Sequence, residues 1–368
     1  MIYLDHGATS FPKPPQVLLA MNKAMHSCAN PGRGAYPAAM AAAETVYDCR
    51  SLAAQLFDCQ PEQVCFTANA THGLNIAIGT LVKPGDRVLV TGFEHNAVVR
   101  PLHAIGAKWI VAGRKLFDRQ DTLHSWEYAL SQGVDAAVFT HVSNVFGYIL
   151  PVEEMAALCR RYSVPFVIDA AQSAGSLPVK LKSLGADFIA MPGHKGLLGP
   201  QGTGLLLCNG ETKPLLYGGS GNQSIRRDMP DELPERLEAG TLNVPGIAGL
   251  AAGLRYLLDT GVQTIGRREH QRLQQCVRTL QQLPVTVFAG EDQAATVSFI
   301  PQDDCEEVAQ RLSDHGIAVR AGLHCAPLAH ESAGTLESGT LRISLGWNTT
   351  DRQVSSACRI LKNICTNA

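Results

Sequence analysis

Two charged side chains stand where apolar strands are predicted to end. Asp169 closes the run VPFVID, and Lys195 follows the run ADFIAMPGH. Taken alone, Asp169 resembles a helix N-cap and Lys195 a solvated loop lysine. Because the two strands are consecutive in sequence, both residues are expected at one edge of a parallel sheet, where α/β folds bind ligands. An imine-forming amine beside a carboxylate that keeps a pyridine nitrogen protonated indicates pyridoxal phosphate (PLP) chemistry.

Two further segments supply groups that this cofactor needs. TANATHGLN, residues 67–75, joins a predicted strand to a helix, so its backbone N–H groups and the Thr71 hydroxyl form an anion site. Simple N-capping by Asn69 or Thr71 is the alternative. His95 follows the strand Arg87–Thr91 and is placed to stack on a ring and move protons, although a lone histidine is more often structural.

The surrounding elements predict an α/β fold. Strands are expected at 64–67, 87–91, 108–112, 136–141, 165–169, 187–191 and 204–208, with helices between several of them. Strand–helix alternation of this kind predicts a largely parallel sheet wrapped by helices. After Pro245 a helical stretch with a break near Gly261, short strands and a closing helix at 350–365 predict a smaller α+β domain. Residues 217–243 are expected to form a long functional loop.

Composition excludes several classes of protein. The 368 residues are 45% hydrophobic and 17% charged, with a formal net charge of −2, so a disordered chain is excluded and nucleic acid is not an expected partner. Apolar runs are too short for a membrane span, and no secretory signal is visible. The eleven cysteines are scattered without a CxxC pair, so most are expected to be reduced, buried residues of a cytoplasmic protein.

The motifs together resemble a known family. The sequence is similar to PLP-dependent enzymes of the class V aminotransferase fold, close to the cysteine desulfurase and selenocysteine lyase group. The resemblance implies fold type I, with a seven-stranded, mainly parallel sheet in a large domain (15–245) and a small α+β domain (1–14 and 246–368). The segments that carry it include YLDHGATS (3–10), TANATHGLN (67–75), EHNAVV (94–99), HVSNVFG (141–147), IDAAQSAG (168–175), PGHK (192–195), EAGTLN (238–243), VRAGLHCAP (319–327) and LRISLGWNTTD (341–351).

The resemblance implies roles around the cofactor. Lys195 corresponds to the lysine that binds PLP as a Schiff base, Asp169 to the partner of the pyridinium nitrogen and Gln172 to the ligand of the phenolic oxygen. His95 corresponds to the stacking, acid–base histidine. The implied phosphate ligands are the Ala70 N–H, Thr71, His194 and, from a partner subunit, Thr241. A homodimer is therefore expected.

The resemblance also implies a reaction. Asn144 and Arg342 correspond to residues that bind the substrate carboxylate, for which a guanidinium is well shaped. Cys325 lies in the loop of the catalytic cysteine, where a thiolate is the required nucleophile. The implied activity is cysteine desulfuration: L-cysteine yields alanine and a persulfide on Cys325, which passes sulfur to an acceptor protein.

Alternatives remain open on the sequence alone. A selenocysteine lyase uses the same site, and an aminotransferase or β-lyase would leave Cys325 incidental. A zinc site on His324, Cys325 and His330 fits no common spacing, and no metal is expected. The chain departs from the family pattern at His6-Gly7, Ala70 and Pro192, where relatives commonly have Asn-Ala, Thr and Ser. The two missing hydroxyls also leave open a non-catalytic, partner-binding relative.

Overall fold

A computed structural model describes residues 1–32, 34–221 and 223–366. Within these ranges the chain forms thirteen strands and twelve α-helices. The strands are β1 (Ile2–Tyr3), β2 (Val64–Thr67), β3 (Arg87–Thr91), β4 (Lys108–Ala112), β5 (Ala136–Thr140), β6 (Phe166–Asp169), β7 (Phe188–Pro192), β8 (Gly204–Cys208), β9 (Thr286–Phe288), β10 (Thr296–Ile300), β11 (Ile317–Ala318), β12 (Arg320–Gly322) and β13 (Thr340–Ser344). The helices are α1 (Pro15–Ser27), α2 (Pro37–Phe57), α3 (Ala70–Leu81), α4 (Asn96–Ile105), α5 (Arg119–Ser131), α6 (Val152–Arg161), α7 (Leu181–Leu184), α8 (Val244–Thr260), α9 (Val262–Leu280), α10 (Cys305–Asp314), α11 (Pro327–Ala333) and α12 (Asp351–Thr366).

The central element is a seven-stranded sheet in the order β2-β8-β7-β6-β5-β3-β4. All strands run parallel except β8, which is antiparallel to both neighbours. Every residue of β5, β6, β7 and β8 is buried, because α3 and α4 pack on one face while α2, α5, α6 and α8 pack on the other. The predicted fold type I architecture with a mainly parallel sheet is confirmed.

The seven strands predicted for this sheet are all present, each end within one residue of the prediction. Continuous apolar runs bounded by turn residues locate doubly covered strands well. The strand predicted over 317–320 is instead two strands. Ile317–Ala318 pairs with β1 and Arg320–Gly322 pairs with β13, so the chain changes sheets at Val319.

A second, antiparallel sheet in the order β12-β13-β10-β9 packs against α9, α10 and α12. The break predicted near Gly261 separates α8 from α9, and this glycine has a φ of +84°, a value that favours a residue without Cβ. α8 packs against α1 and α2, whereas α9 packs against α12. The domain boundary at residue 245 stays a prediction. Across the described ranges, none of the helices combines the length and the hydropathy needed to cross a bilayer.

The segment 217–243 is fixed to the large sheet by a buried ion pair. Arg50 of α2 donates from Nη1 to Glu238 Oε1 at 2.9 Å, and Glu238 also accepts the backbone N–H of Phe66 at 2.6 Å. The guanidinium lies 4.5 Å from the centre of the Phe66 ring. The two charged side chains are only 8% and 6% exposed. Removing one partner would leave the other charge buried and uncompensated.

We therefore expect Arg50→Ala to lower the free energy of unfolding by about 3 kcal/mol, measured by urea denaturation. Arg119→Ala is the matched control, since the Arg119–Glu154 pair is 44% and 46% exposed. Arg119→Ala should lower the free energy of unfolding by less than about 1 kcal/mol, because solvent screens exposed ion pairs. Equal effects of the two substitutions would contradict the anchoring role of Arg50.

Candidate active site

The carboxyl ends of β2, β3, β5, β6 and β7 form one wall of a cavity of about 270 Å³. The N-terminal segment, β12, β13 and the loop after β12 form the opposite wall. Ten of the eleven residues predicted for the site line this cavity. They are Ala70, Thr71, His95, Asn144, Asp169, Gln172, His194, Lys195, Cys325 and Arg342.

Lys195 is held in a turn that only small residues permit. A Cβ on Gly196 would lie 2.1 Å from the carbonyl oxygen of Ala174, and Gly175 has a φ of +99° with its own Cβ position 2.1 Å from the Gly196 oxygen. This close packing fixes the backbone beside Lys195. Burial lowers the pKa of the Lys195 amine to about 8, although the neighbouring Asp169 carboxylate opposes that shift. A larger fraction of this amine is thus neutral near physiological pH than of an ordinary lysine.

Asp169 ends β6 but does not cap an α-helix. Its Oδ1 accepts the backbone N–H of Ala171 at 2.9 Å, in a turn that also carries Gln172. Burial raises the pKa of the Asp169 carboxyl, while the Ala171 N–H and the Lys195 amine oppose the rise. The Gln172 amide donates to the carbonyl oxygen of Gly7 at 3.0 Å. The Ala171 N–H therefore holds the Asp169 carboxylate in place in the cavity wall.

The N-terminus of α3 forms a second corner of the cavity. Asn69 is the N-cap, and its Oδ1 accepts the His72 N–H at 2.9 Å. The capping alternative is thus correct for Asn69, while Thr71 lies within the first turn. Since the cap satisfies His72, the N–H groups of Ala70 and Thr71 are left facing an anion-binding position at a helix N-terminus.

His194 lies beside this corner and is fixed by the N-terminal segment. Its Nδ1 is 3.0 Å from the Thr9 hydroxyl, and its carbonyl oxygen accepts Lys13 Nζ at 2.6 Å. Burial, together with the positive charges of Lys195 and Lys13, lowers the pKa of His194 to about 4. The imidazole is neutral at pH 7, so it would bind a phosphate as a hydrogen-bond donor rather than as a cation.

His95 serves both as the N-cap of α4 and as a cavity residue. Its Nδ1 accepts the Ala97 N–H at 3.0 Å, an arrangement that places the ring proton on Nε2. Burial and the nearby Lys195, Arg100 and Arg342 lower the pKa of His95 to about 4. The structural and functional interpretations of His95 are thus compatible, because the cap orients a neutral ring toward the cavity.

A buried charge cluster contributes the cationic side of the cavity. Arg342, 2% exposed, donates from Nη2 to Asp5 Oδ1 and from Nη1 to the carbonyl oxygen of Asn144, each at 2.8 Å. Asp5 also accepts Arg320 Nη2 at 2.8 Å. Sequence reasoning missed Asp5 and Arg320, although both lie in the motifs YLDHGATS and VRAGLHCAP. The buried Nε of Arg342 has no partner among the described residues, so the guanidinium can still bind a carboxylate.

Cys325 lies in the loop between β12 and α11 and is exposed, whereas the other ten cysteines are buried or half-buried. The Asn96 N–H donates to its carbonyl oxygen at 2.8 Å. His324 Nε2 lies 3.1 Å from the Thr340 carbonyl oxygen, and His330 Nδ1 lies 2.7 Å from the Thr335 hydroxyl. The Cys325 thiol is therefore exposed to solvent at the cavity. The two neighbouring histidines contact threonines instead of the thiol.

Two of the departures from the family pattern have local causes. A Cβ on Gly7 would lie 3.2 Å from Arg342 Cζ, so glycine at this position lets the guanidinium pack on the backbone. His6 packs against Gly346, where a Cβ would lie 2.2 Å from His6 Nδ1. The large residue at position 6 is thus accommodated by a residue without a side chain at 346.

The donor set fits PLP. The two free N–H groups at the start of α3, with Thr71 and His194, suit a phosphate, and the buried Asp169 carboxylate suits a protonated ring nitrogen. The buried Oδ1 of Asn144 and Nε of Arg342 have no partner within the described residues, which is expected of groups that bind a ligand. Ala70 and Pro192 supply no hydroxyl, so backbone N–H groups would carry more of the phosphate binding.

Thr241 is the one predicted site residue outside the cavity. It is exposed and lines a separate cleft with Tyr47, Arg50 and Glu238. Thr241 therefore lies apart from the anion-binding corner of its own subunit.

The chain is similar to known proteins in both sequence and structure. The family model for aminotransferase class-V matches residues 2–356. A probable cysteine desulfurase of Methanothermobacter thermautotrophicus is 31% identical, covering 99% of this chain and 94% of its own. One of Pyrococcus abyssi is 34% identical over 89% of this chain and 85% of its own. The apo structure of a cysteine desulfurase from Thermococcus onnurineus superposes with a TM-score of 0.91 at 32% identity, covering 100% of this chain and 95% of that one.

The lowered pKa of Lys195 gives a prediction for cofactor-free protein. Acetylation of Lys195 by acetic anhydride, followed by peptide mass spectrometry, should reach half its maximal rate near pH 8, since the neutral amine reacts. Asp169→Asn should move this midpoint to lower pH, because the carboxylate stabilises the charged amine. Exposed Lys182 serves as the labelling reference. An unchanged or higher midpoint in Asp169→Asn would contradict the electrostatic coupling of the two residues.

Proposed function

The chain belongs to the aminotransferase class-V family, and we propose that it is a PLP-dependent cysteine desulfurase. The observation that carries this proposal is an exposed thiol, Cys325, at the mouth of a cavity lined by Lys195, Asp169 and Arg342. The desulfurase names of relatives at 31% and 34% identity support the same activity. When bound, PLP supplies an electron sink for a carbanion at the substrate α-carbon.

The Arg342 side chain binds and orients the L-cysteine substrate in this proposal, with the Asn144 backbone beside it. Arg342 receives the carboxylate through its free Nε–H and remaining Nη–H groups, and Asp5 holds the guanidinium in place. Asn144 lies against the same guanidinium through its backbone oxygen. Because both partners of Arg342 are fixed before the substrate arrives, little side-chain entropy is lost on binding.

Lys195 and His95 move protons. The Lys195 amine, with its lowered pKa, takes the α-proton of the substrate in its neutral form. His95, neutral and with its ring proton on Nε2, donates a hydrogen bond from Nε2 into the cavity and so orients the group that gives or takes the proton. A base with a pKa near the working pH is well matched to this task.

Cys325 carries out the sulfur transfer. Its thiolate attacks the substrate sulfur, a new S–S bond forms, and the bond between that sulfur and the substrate β-carbon breaks with its electron pair on carbon. Protonation of the carbon gives alanine, and Cys325 keeps a persulfide. The exposed position of Cys325 lets the persulfide reach an acceptor protein.

We further propose a homodimer in the cytoplasm. Exposed apolar side chains on α1 and α2, among them Leu18, Leu19, Met25 and Tyr47, form a surface suited to a second copy. Thr241, remote from the cavity of its own subunit, would contact the phosphate in the partner's cavity. The eleven cysteines are free, which suits a reducing compartment.

The nucleophile assignment predicts the outcome of a labelling experiment. After reaction with ³⁵S-cysteine, peptide mass spectrometry should find the persulfide on Cys325, and the soluble product should be alanine rather than a keto acid. Cys325→Ala should lower sulfur transfer at least about a hundredfold because the covalent step is lost. Cys28→Ala, a half-buried cysteine away from the cavity, is the control. Full transfer by Cys325→Ala would overturn the assignment, and keto-acid product would indicate an aminotransferase or a β-lyase instead.

The homodimer predicts complementation between two defective variants. Thr241→Ala should weaken PLP binding about tenfold, as expected for one hydrogen bond to a charged group, and Lys195→Ala should be inactive. At limiting PLP, refolded mixtures should regain activity, because one mixed site has Lys195 from one subunit and Thr241 from the other. Mixtures no more active than their components would place Thr241 outside the partner's site.

A further inference from the structure

The backbone of the Cys325 loop adopts an unfavourable conformation. His324 and Cys325 are consecutive residues with φ values of +49° and +58°. Side chains with a Cβ disfavour this left-handed region, and such residues persist only where surrounding contacts hold them. The position of the nucleophile therefore depends on contacts from neighbouring elements.

Three contacts from outside the loop hold these two residues. The Asn96 N–H donates to the Cys325 carbonyl oxygen at 2.8 Å, and His324 Nε2 lies 3.1 Å from the Thr340 carbonyl oxygen. Asn144 Nδ2 donates to the His324 carbonyl oxygen at 2.7 Å. Of the three outside partners, Asn96 and Thr340 contribute backbone groups, whereas Asn144 contacts the loop through its side chain and also lines the cavity. It is a direct link from cavity to loop.

Asn144 is joined equally closely to the substrate end of the cavity. Its backbone oxygen accepts Arg342 Nη1 at 2.8 Å. The residue is only 8% exposed. Its side-chain Oδ1 is buried and has no hydrogen-bond partner among the described residues. One residue thus contacts the guanidinium, the nucleophile loop and the cavity.

We infer that Asn144 is a positioning residue that holds the Cys325 loop and couples it to the carboxylate-binding end of the cavity. This inference rests on the proposed function. A residue that only contacted the substrate would leave the loop unchanged when removed. A positioning residue changes the reactivity of Cys325 even before the substrate binds.

The test compares Asn144→Ala with the unaltered holoenzyme. In the absence of substrate, alkylation of Cys325 by iodoacetamide, followed by peptide mass spectrometry, should change about fivefold in rate, the equivalent of about 1 kcal/mol for one lost hydrogen bond. The kcat for alanine formation should fall about tenfold or more. The dissociation constant of glycine, titrated through cofactor absorbance, should change less than threefold.

Thr340→Val is the matched control. It removes a hydroxyl 3.3 Å from His324 Nε2 but keeps the Thr340 carbonyl contact, so the alkylation rate should stay within twofold of the unaltered enzyme. Asn144→Ser, whose hydroxyl is too short to reach the His324 carbonyl, replaces Asn144→Ala if that variant does not fold. It should show the same altered alkylation rate.

Failure of the positioning role of Asn144 and failure of the proposed function give different results. An unchanged alkylation rate in Asn144→Ala with weakened glycine binding would overturn the positioning role and leave Asn144 as a substrate ligand. Absence of a persulfide on Cys325 in the unaltered enzyme would overturn the proposed function, while the alkylation comparison would still report on the loop.

Discussion

The site depends on burying the Lys195 amine opposite the Asp169 carboxylate at the carboxyl edge of a parallel sheet. The Asp169 side chain is buried and Lys195 is half-buried, and each moderates the cost of burying the other. Without Asp169 the amine would lose its proton more readily, and without Lys195 the carboxylate would be harder to ionise. The tight packing of Gly175 against Gly196 fixes the backbone from which Lys195 enters the cavity.

The second sheet and the N-terminal segment contribute the cationic side of the site. β13 brings Arg342 over the edge of the large sheet, and the N-terminal segment supplies Asp5, which lies between Arg342 and Arg320. An arginine pair around one carboxylate is a stable arrangement only because that carboxylate neutralises part of the combined charge. The N-terminal ten residues thus act in the site, through Asp5 and through Thr9 beside His194, although they contribute only one short strand to the fold.

Sequence patterns located the parts of the site that lie on strands. Asp169 and Lys195 follow long apolar runs, and the topology of parallel sheets brings such ends together, so their proximity could be predicted. Thr241 could not be placed by the same argument, because its described neighbours in 217–243 form neither helix nor strand and are anchored by a pair between Glu238 and Arg50, which are far apart in sequence. The ion pair between Asp5 and Arg320 could not be predicted in this way either. Its partners are 315 positions apart, so their contact depends on how the two sheets pack rather than on local periodicity. The split of 317–320 into two strands has the same cause.

Position, more than thiol acidity, separates Cys325 from the other cysteines. Burial raises the pKa of Cys59 to about 11 and that of Cys159 to about 12, so both stay protonated and serve as small apolar residues. Cys358 is the informative exception: a hydrogen bond from Cys276 lowers its pKa, yet it packs in the core of the second sheet and does not line the cavity. A lowered pKa without access does not make a thiol a nucleophile. Cys325 combines a left-handed backbone conformation with an exposed thiol at the cavity mouth, and among the eleven cysteines that access is what makes it the proposed nucleophile.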